Sequence, residues 1–326
     1  LHEAWQIGSQ HPLPQISRIG KVLIAGMGGS AIGADLLVSY IAEQCPLPVF
    51  VHRDYGLPAW ANGADTLVIV SSHSGNTEES LSAFEKAQEN HCSLLTITTG
   101  GKLAELATQS GIPVWYFPNR GQPRTAVGYS FGLLLALFTG LRWIANPKDE
   151  LYSTIDIMRQ QQQSLRADIP AISNPAKRMA GQLIGRYVTV IGSGILSPVA
   201  RRWKGQINEL AKTWGQFEFI PEADHNLLSG SQNPEEILTK IMILFLRSPS
   251  DDPRNRMRIE LTKKSFMLQG LCTDLIDAKG NTPLENLWTL LHFGDYMAYY
   301  LAMAYKTDPT PVAAIEAFKI DMKKGG

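Results

Sequence analysis

Short, almost wholly apolar runs recur along the first half of the chain, each bounded by turn residues. They are KVLIAG (21–26), PVFVH (48–52), TLVIVSS (66–72), SLLTITT (93–99) and IPVWYFP (112–118). Uninterrupted apolar runs of this length are typical of strands covered on both faces in a parallel sheet. Helical patterns lie between them, as in residues 77–90, where Leu81, Phe84 and Ala87 share one face. The alternation predicts a doubly wound α/β domain that ends in a long helix near 126–145.

The second half of the chain begins with a pattern that resembles the start of the first half. YVTVIGSG (187–194) aligns with VLIAGMGG (22–29) after a shift of one position, which sets Gly192 opposite Gly26 and Gly194 opposite Gly28. Each segment is an apolar strand pattern that runs into a Gly-x-Gly turn and then a helix pattern. Two successive halves with the same opening indicate a duplicated domain.

Further patterns complete the second half. KIMILFL (240–246) predicts another buried strand, and residues 252–269 and 284–305 have helical periodicity. Asn146-Pro147 and a polar helical stretch, 149–180, separate the halves. We therefore expect two doubly wound, flavodoxin-like α/β domains in tandem, residues 1–150 and 151–326.

Composition and charge exclude several classes of function. Thirty Lys and Arg residues balance 30 Asp and Glu residues, so no overall field favours nucleic acid or an anionic membrane, and any anion site must be local. The longest uncharged run, 125–141, is shorter than the roughly 20 residues of a membrane span and predicts a buried core helix.

The three cysteines form no C-x-x-C pair, which predicts neither disulfides nor zinc and suits the cytoplasm. No H-x-H or H-E-x-x-H spacing occurs, so we expect no metal and no cofactor.

The glycine-rich segment GMGGSAIGADLL (26–37) follows a strand and opens a helix. Glycines allow the backbone to approach a ligand, and a helix N-terminus offers free N–H groups with positive dipole character. The full dinucleotide-binding spacing is absent because Ala31 occupies the last glycine position. The Gly-Lys-Ser/Thr of a P-loop is absent as well, so nucleotide binding is disfavoured.

A second polar turn, VSSHSGNT (70–77), also follows a predicted strand, and it permits two interpretations. In one, these residues only satisfy the next helix, with Asn76 as its N-cap and Glu79 at the capping-box position. In the other, Ser and Thr hydroxyls and backbone amides hold a phosphate monoester without a lysine. Ligands of open α/β sheets bind at the carboxyl ends of strands. Two strands here end in small, hydroxyl-rich helix starts, which favours the second interpretation.

Six motifs lie at intervals along the chain: GGS (28–30), S-x-S-G-N-T (72–77), PRTAVGY (123–129), IGSG (191–194), KGQINELAK (204–212) and EADHNLLSG (222–230). Together they resemble the sugar isomerase (SIS) fold and, more narrowly, the bifunctional phosphoglucose/phosphomannose isomerases. They occur in that family in this order, so the resemblance covers both halves of the chain and implies two SIS domains. SGNT alone marks only the fold, whereas PRTAVGY followed by NE and DHN at this separation is fairly specific.

The resemblance implies roles for individual residues. The phosphate-binding positions are Gly29, Ser30, Ser72, Ser74 and Thr77. The catalytic positions are Glu209 as the base, His225 for ring opening, Arg124 near the C1 and C2 oxygens, and Lys319 in IEAFK as a further active-site lysine. In the superfamily the histidine commonly comes from the neighbouring subunit, which implies a homodimer. One departure is His73, which stands where an aromatic residue is common.

The chemistry of these residue types agrees with those roles. Aldose–ketose isomerisation moves a proton between C1 and C2 through an enediolate, and one carboxylate such as Glu209 can perform both transfers. Arg124 would supply a permanent positive charge for the enediolate oxygens, and imidazole titrates near neutrality, as ring opening requires. Without the resemblance, Glu209 would be interpreted as a solvated helix-face charge and Arg124 as a surface arginine. His52, His91 and His292 have no comparable context and are interpreted as structural.

We therefore expect an isomerase of glucose 6-phosphate and fructose 6-phosphate, with mannose 6-phosphate as a second substrate. A non-catalytic sugar-phosphate-binding regulatory protein is the alternative, because SIS folds also serve that purpose. Such a protein could lose Glu209, Arg124 or His225, and all three are present. A third interpretation, the isomerase half of an amidotransferase, would need a glutaminase domain with an N-terminal cysteine.

Overall fold

The computed structural model describes residues 1–16, 18–118 and 121–325. The chain divides into two compact units, Leu1–Ile155 and Asp156–Gly326. The domain assignment of 1–150 and 151–326 stays a prediction.

The first unit alternates strands and helices along the chain. Its strands are β1 (Lys21–Ala25), β2 (Val49–His52), β3 (Thr66–Ser72), β4 (Ser93–Thr98) and β5 (Val114–Tyr116). Its helices are α1 (His2–Gln10), α2 (Gly28–Ile41), α3 (Glu78–Glu89), α4 (Gly101–Gln109) and α5 (Val127–Gly140), with a 3₁₀ turn at Pro123–Thr125. The long helix α6 (Lys148–Leu165) follows.

The second unit has the same alternation. Its strands are β6 (Tyr187–Ser193), β7 (Gly215–Ile220), β8 (Ile241–Arg247) and β9 (Cys272–Asp277). Its helices are α7 (Pro175–Leu183), α8 (Ser197–Glu209), α9 (Glu235–Leu238), α10 (Pro253–Leu268), α11 (Pro283–Ala304) and α12 (Ala313–Gly325). Short 3₁₀ turns occupy Gly194–Leu196, Glu222–His225 and Leu227–Gly230.

The first sheet is wholly parallel, with strand order β2-β1-β3-β4-β5. All residues of β3 are buried, as the apolar run predicts for a strand covered on both faces. Leu23, Val68 and Val70 face a core that includes Phe84 of α3 and Leu103 of α4. Helices α1, α2 and α5 form a second packed group. The sheet is therefore doubly wound.

The second sheet has the order β7-β6-β8-β9, again wholly parallel. This order matches that of the first four strands of the first sheet, with β6 in the place of β1. Helices α7, α8 and α11 pack together, as α1, α2 and α5 do in the first unit. The prediction of two doubly wound α/β units in tandem is confirmed, and the repeated strand order supports a duplicated domain.

The elements that the sequence did not predict include α1, α4, α9, β7 and β9. The two strands lie at the edges of the second sheet, and their residues are mostly half-buried or exposed. Polar residues in GQFEFI and CTDLID therefore interrupt the apolar run that marks a covered strand. The polar stretch 149–180 contains α6 and the start of α7. Asn174 caps α7, because its side chain accepts hydrogen bonds from the amides of Ala176 and Lys177.

Close contact between α2 and α5 depends on Gly33. A Cβ placed there would lie 2.4 Å from the Cβ of Ser130 and 3.0 Å from the amide nitrogen of Phe131. We expect Gly33→Ala to lower the free energy of unfolding by about 1–3 kcal/mol, since the two helices would have to separate. Chemical denaturation monitored by circular dichroism measures the change.

The matched control is Gly181→Ala in α7. Gly181 is an exposed helical glycine around which an added Cβ would meet nothing within 4 Å. This substitution should raise stability by about 0.5–1 kcal/mol through helix propensity alone. Equal stabilisation of both variants would contradict the packing argument.

Candidate active site

The first sheet has a topological switch point between β1 and β3. The chain leaves β1 towards β2 on one side and leaves β3 towards β4 on the other. In open α/β sheets, ligands bind outside the carboxyl ends of the strands at this point. Gly26 follows β1, and a Cβ there would lie 2.7 Å from the carbonyl oxygen of Ser71. The two strand ends are therefore in direct backbone contact where the polar turns begin.

Hydroxyl groups converge in the turn that follows β3. The buried Ser72 Oγ donates a hydrogen bond to Thr77 Oγ1 (3.1 Å) and accepts one from the amide of Gly75 (3.2 Å). Ser74 is exposed, and its Oγ accepts a hydrogen bond from the amide of Asn76 (3.2 Å). Residues 72–77 thus form a compact concentration of hydroxyls and amides, which we call the hydroxyl turn.

The prediction that Asn76 caps α3 is wrong. Thr77 is the N-cap of α3, and no side-chain cap hydrogen bond is present among the described residues. Asn76 Oδ1 instead accepts a hydrogen bond from the amide of Lys102 in α4 (3.0 Å), and its Nδ2 donates to the carbonyl of Ser74 (3.1 Å). The capping position predicted for Glu79 fails with it, and the amides at the start of α3 have no capping side chain from the described part of the chain.

Residues 99–101, which follow β4, support the hydroxyl turn. They are not among the site residues predicted from the sequence. Thr99 Oγ1 donates to the carbonyl of His73 (2.7 Å). Gly75 has a positive φ of 67°, and a Cβ there would lie 1.8 Å from the carbonyl oxygen of Gly100. The signal that could have indicated this support is the Gly100-Gly101 pair directly after an apolar strand run.

Helix α2 contributes the second group of candidate phosphate ligands. Its N-cap, Met27, makes no side-chain cap hydrogen bond with any described residue, so Gly29 and Ser30 lie in an uncapped first turn. The backbone of Gly29 packs against the 3₁₀ turn, since a Cβ there would lie 2.7 Å from the carbonyl of Pro123 and 3.7 Å from the Cα of Arg124. Arg124 is buried, with 6% of its surface exposed.

The first unit thus collects one part of the predicted site at the carboxyl edge of its sheet. These residues are Gly29, Ser30, Ser72, Ser74, Thr77 and Arg124. Uncapped helix N-termini and a buried guanidinium favour an anion there, and hydroxyl groups can donate to its oxygens. Glu78, in the first turn of α3, is negatively charged and therefore opposes the binding of an anion. Its carboxylate accepts a hydrogen bond from Tyr55 (3.2 Å).

The other candidate catalytic residues belong to the second unit. Glu209 is the last residue of α8 and is half-buried, and its carbonyl accepts a hydrogen bond from the ammonium group of Lys212. His225 ends a 3₁₀ turn and is exposed. Its neighbour Asp224 anchors that turn to α10 by accepting hydrogen bonds from Arg258 and Thr262. Lys319 lies on α12 and is exposed.

Helix α8, which ends at Glu209, packs on one face of the second sheet. A Cβ at Gly215 would lie 3.1 Å from Cγ2 of Ile207, and the guanidinium of Arg201 lies 5.0 Å from the centre of the Phe217 ring. Residues 215 and 217 of β7 point to the same face because side chains alternate along a strand.

The turn that carries His225 packs on the opposite face. Ile220 and Ala223 belong to a core cluster with Ile259 and Phe266 of α10. Residue 220 of β7 points away from residues 215 and 217. Within one chain, the second sheet therefore separates Glu209 from His225, and the fold does not bring these two residues together.

Two further histidines, His73 and His292, contact other side chains. The His73 ring meets Phe117 edge-on, with ring centroids 5.8 Å apart. His292 Nδ1 lies 3.0 Å from Gln161 Oε1, and burial lowers the pKa of its imidazole. In the described ranges, no three His, Cys, Asp or Glu side chains are grouped to hold a metal ion. None of the helices described is long and apolar enough to cross a membrane.

Comparison with known proteins finds named relatives along nearly the whole chain. The family model for the bacterial phospho-glucose isomerase C-terminal SIS domain matches residues 172–322. A bifunctional phosphoglucose/phosphomannose isomerase of Caldicellulosiruptor bescii is 38% identical over 98% of this chain and 94% of that protein. The chain belongs to the bifunctional phosphoglucose/phosphomannose isomerase family. A member of this family from Aquifex aeolicus is 33% identical over 93% of this chain and 90% of its own length.

The fold of this family member also has solved counterparts. A hypothetical protein of Thermus thermophilus superimposes with a TM-score of 0.75 at 16% identity, over 99% of this chain and 86% of the other. At that identity the likeness concerns the fold alone. The resemblance inferred from the motifs is confirmed by the relatives of known name, whereas the roles of individual residues stay predictions.

The hydroxyl turn requires glycine at position 75. We expect Gly75→Ala to displace the turn, because the added Cβ would collide with the carbonyl of Gly100 in addition to the strain of a positive φ. We expect inorganic phosphate to raise the Tm of the unaltered protein through this turn and the variant to lose that increase, as measured by differential scanning fluorimetry.

Gly111→Ala is the matched control. Gly111 has nearly the same φ, 68°, but an added Cβ there would meet nothing within 4 Å. It should show only the backbone strain of about 1–2 kcal/mol and keep its response to inorganic phosphate. Equal responses of the two variants would disprove the steric argument.

Proposed function

We propose that the protein interconverts glucose 6-phosphate and fructose 6-phosphate and also accepts mannose 6-phosphate. The observation that carries this proposal is the 38% identity, over nearly the whole chain, to a bifunctional phosphoglucose/phosphomannose isomerase. The anion-favouring switch point of the first sheet supports it, since all three sugars carry a phosphate group. The reaction would place the chain in glycolysis and gluconeogenesis.

The hydroxyl turn and the start of α2 hold the substrate phosphate in this proposal. Ser74 and Thr77 donate hydroxyl hydrogen bonds, and Ser72 donates once its hydroxyl turns from Thr77 to the phosphate. At the uncapped start of α2, Gly29 supplies its backbone amide and Ser30 its hydroxyl. Hydroxyl and amide donors bind a phosphate by direct hydrogen bonds and by the helix dipole, so the site needs no lysine.

On carbon the reaction is a pair of proton transfers, and one hydroxyl proton also passes from O2 to O1. The Glu209 carboxylate removes a proton from C2 of the aldose and returns it to C1, with a cis-enediolate between the two steps. Arg124 stabilises the negative enediolate oxygens, and its guanidinium stays protonated at any working pH. His225 exchanges the proton that opens the sugar ring, and Lys319 is a further active-site cation. We propose no cofactor and no metal for this chemistry.

We further propose that the protein acts as a homodimer in the cytoplasm. Glu209 and His225 of one chain belong to elements that pack on opposite faces of the second sheet. A hexose phosphate that touches Glu209 would therefore meet the histidine of a second chain more readily than that of its own. The three cysteines are free thiols, which suits a reducing compartment.

A coupled assay tests the function directly. Purified protein is supplied with fructose 6-phosphate, and glucose 6-phosphate and mannose 6-phosphate are measured separately by dehydrogenase-linked detection. Turnover of both aldose phosphates supports the proposal. Binding of fructose 6-phosphate without turnover would instead favour the non-catalytic regulatory protein.

The role of Glu209 has its own test. We expect Glu209→Gln to lower kcat by about 10²–10⁴-fold with KM nearly unchanged, because the amide cannot accept the proton although its volume is the same. Steady-state kinetics with fructose 6-phosphate measures both constants. Glu236→Gln, a change at an exposed position of α9, is the control and should keep wild-type kinetics. A Glu209→Gln variant with wild-type turnover would remove Glu209 from the mechanism.

Mixing two inactive variants tests the dimer. If His225 completes the site of the partner chain, a heterodimer of Glu209→Gln and His225→Ala chains contains one intact site and one doubly altered site. Random exchange at equal amounts should then restore about one quarter of wild-type activity, as expected for a symmetric dimer. The measurement is the activity of the mixture against that of each variant alone. If both residues act within one chain, no heterodimer has an intact site and the mixture stays inactive.

A further inference from the structure

The second sheet has a switch point of its own, between β6 and β8. The chain leaves β6 towards β7 and leaves β8 towards β9, as it leaves β1 and β3 in the first sheet. The registers correspond as well, since Ala25 pairs with Val70 and Ile191 pairs with Phe245. An anion site in the first unit therefore has a positional counterpart in the second.

The loops after β3 and β8 have the same length. The N-cap of α3 is Thr77, seven residues after Val70, and the N-cap of α10 is Asp252, seven residues after Phe245. Counting from these N-caps, Asn76 corresponds to Asp251. SSHSGNT (71–77) in the first unit is thus replaced by LRSPSDD (246–252) in the second.

A carboxylate of the chain itself occupies the second switch point. Asp251 Oδ1 accepts a hydrogen bond from Ser193 Oγ (2.7 Å) at the end of β6, and Oδ2 accepts one from the amide of Ser248 (2.7 Å) directly after β8. Ser193 and Ser248 are fully buried, and Asp251 is 7% exposed. One buried anion therefore joins the donors of both strand ends, as a bound phosphate would.

The backbone amides at the start of the following helix, α10, also donate to a carboxylate of the chain. Asp252 accepts hydrogen bonds from the amides of Arg254 (2.7 Å) and Asn255 (3.4 Å), so α10 is capped by a carboxylate, whereas α3 has no capping side chain within the described residues. In the first unit Asn76 is turned away to the amide of Lys102 in α4. In the second unit the helix that follows β9 is α11, which begins at Pro283 and is capped by Thr282 and Glu285.

The pKa of the Asp251 carboxyl group is raised above its ordinary value. Burial causes this rise in pKa, and the hydrogen bonds from the Ser248 amide and the Ser193 hydroxyl act in the opposite direction. Charge-assisted hydrogen bonds from buried donors stabilise the ionised form. If the carboxylate were removed, a buried hydroxyl and a buried amide would lose their acceptor and would be open to another anion.

We propose that the second switch point is a phosphate-type anion site permanently occupied by the Asp251 carboxylate, so that replacing Asp251 opens it to inorganic phosphate. The inference goes beyond the proposed isomerase activity and does not depend on it, because the donors concerned all belong to the second unit. It assigns Asp251 as a built-in ligand and leaves the first switch point as the site open to external phosphate.

The test compares Asp251→Ala with Asp252→Asn. Both substitutions remove one negative charge, but Asn at position 252 keeps the helix cap and leaves the Asp251 site filled. Inorganic phosphate is titrated into each full-length protein by isothermal calorimetry, and Tm is measured with phosphate and with chloride at equal ionic strength. Asp251→Ala should bind one more phosphate per chain than the wild type and the control. Its Tm in chloride should be lower by about 5 °C and should recover in phosphate.

Two outcomes would overturn the proposal. One is an unchanged phosphate stoichiometry in Asp251→Ala together with a Tm that phosphate does not restore. The other is an extra phosphate in Asp252→Asn as well, because charge alone would then explain the binding.

If Asp251→Ala does not fold in chloride, refolding in phosphate tests whether Asp251 is a built-in ligand. Recovery of native circular dichroism in phosphate but not in chloride supports a built-in ligand, and failure in both rejects it. Asp251→Asn is the second variant, because its side chain still fills the site. It should have a lowered Tm and wild-type phosphate stoichiometry, and a gain of phosphate there would count against the proposal.

Discussion

Parallel pairing of β1 with β3, which sets Ala25 beside Val70, brings Gly26 against the backbone of Ser71 at the carboxyl edge of the first sheet. The other features of the candidate phosphate site follow from this pairing. It places the uncapped start of α2 next to the hydroxyl turn, since each begins where its strand ends. A ligand there meets dipoles from two helices and hydroxyls from one loop, with no need for a strongly basic surface. The balanced charge of the whole chain is therefore compatible with binding a phosphate.

Close packing at two glycines fixes the elements at the carboxyl edge of the first sheet. Gly33 lets α2 approach α5, and Gly75 lets the hydroxyl turn lie on the carbonyl of Gly100. At both positions the space for a side chain is already filled, by a side chain in the first case and by backbone in the second. The polar groups of the site are thus positioned by contacts that carry no polar chemistry themselves.

Much of the fold follows from local patterns, because a covered parallel strand needs an almost unbroken apolar run, as TLVIVSS shows. Edge strands such as β7 have weaker patterns, since one side of each meets solvent or a loop. The prediction for Asn76 failed for a different reason. Capping propensity is local, whereas the amide of Lys102 that competes for this side chain belongs to the next strand–helix connection. The separation of Glu209 from His225 depends on which face each crossover packs against, and residue spacing carries no information about that.

The carboxylate of Asp251 differs from a diffusing phosphate in one further respect. A tethered group has a high and constant effective concentration, so dilution cannot remove it and a metabolite in solution competes with it poorly. A ligand that binds only the folded form adds stability in proportion to the logarithm of its concentration. The phosphate site of the first unit would therefore add more stability as its ligand accumulates, whereas the Asp251 site of the second would add the same stability at every ligand concentration. Two copies of one architecture would then differ in whether the contribution of this site to stability depends on the solution around the protein.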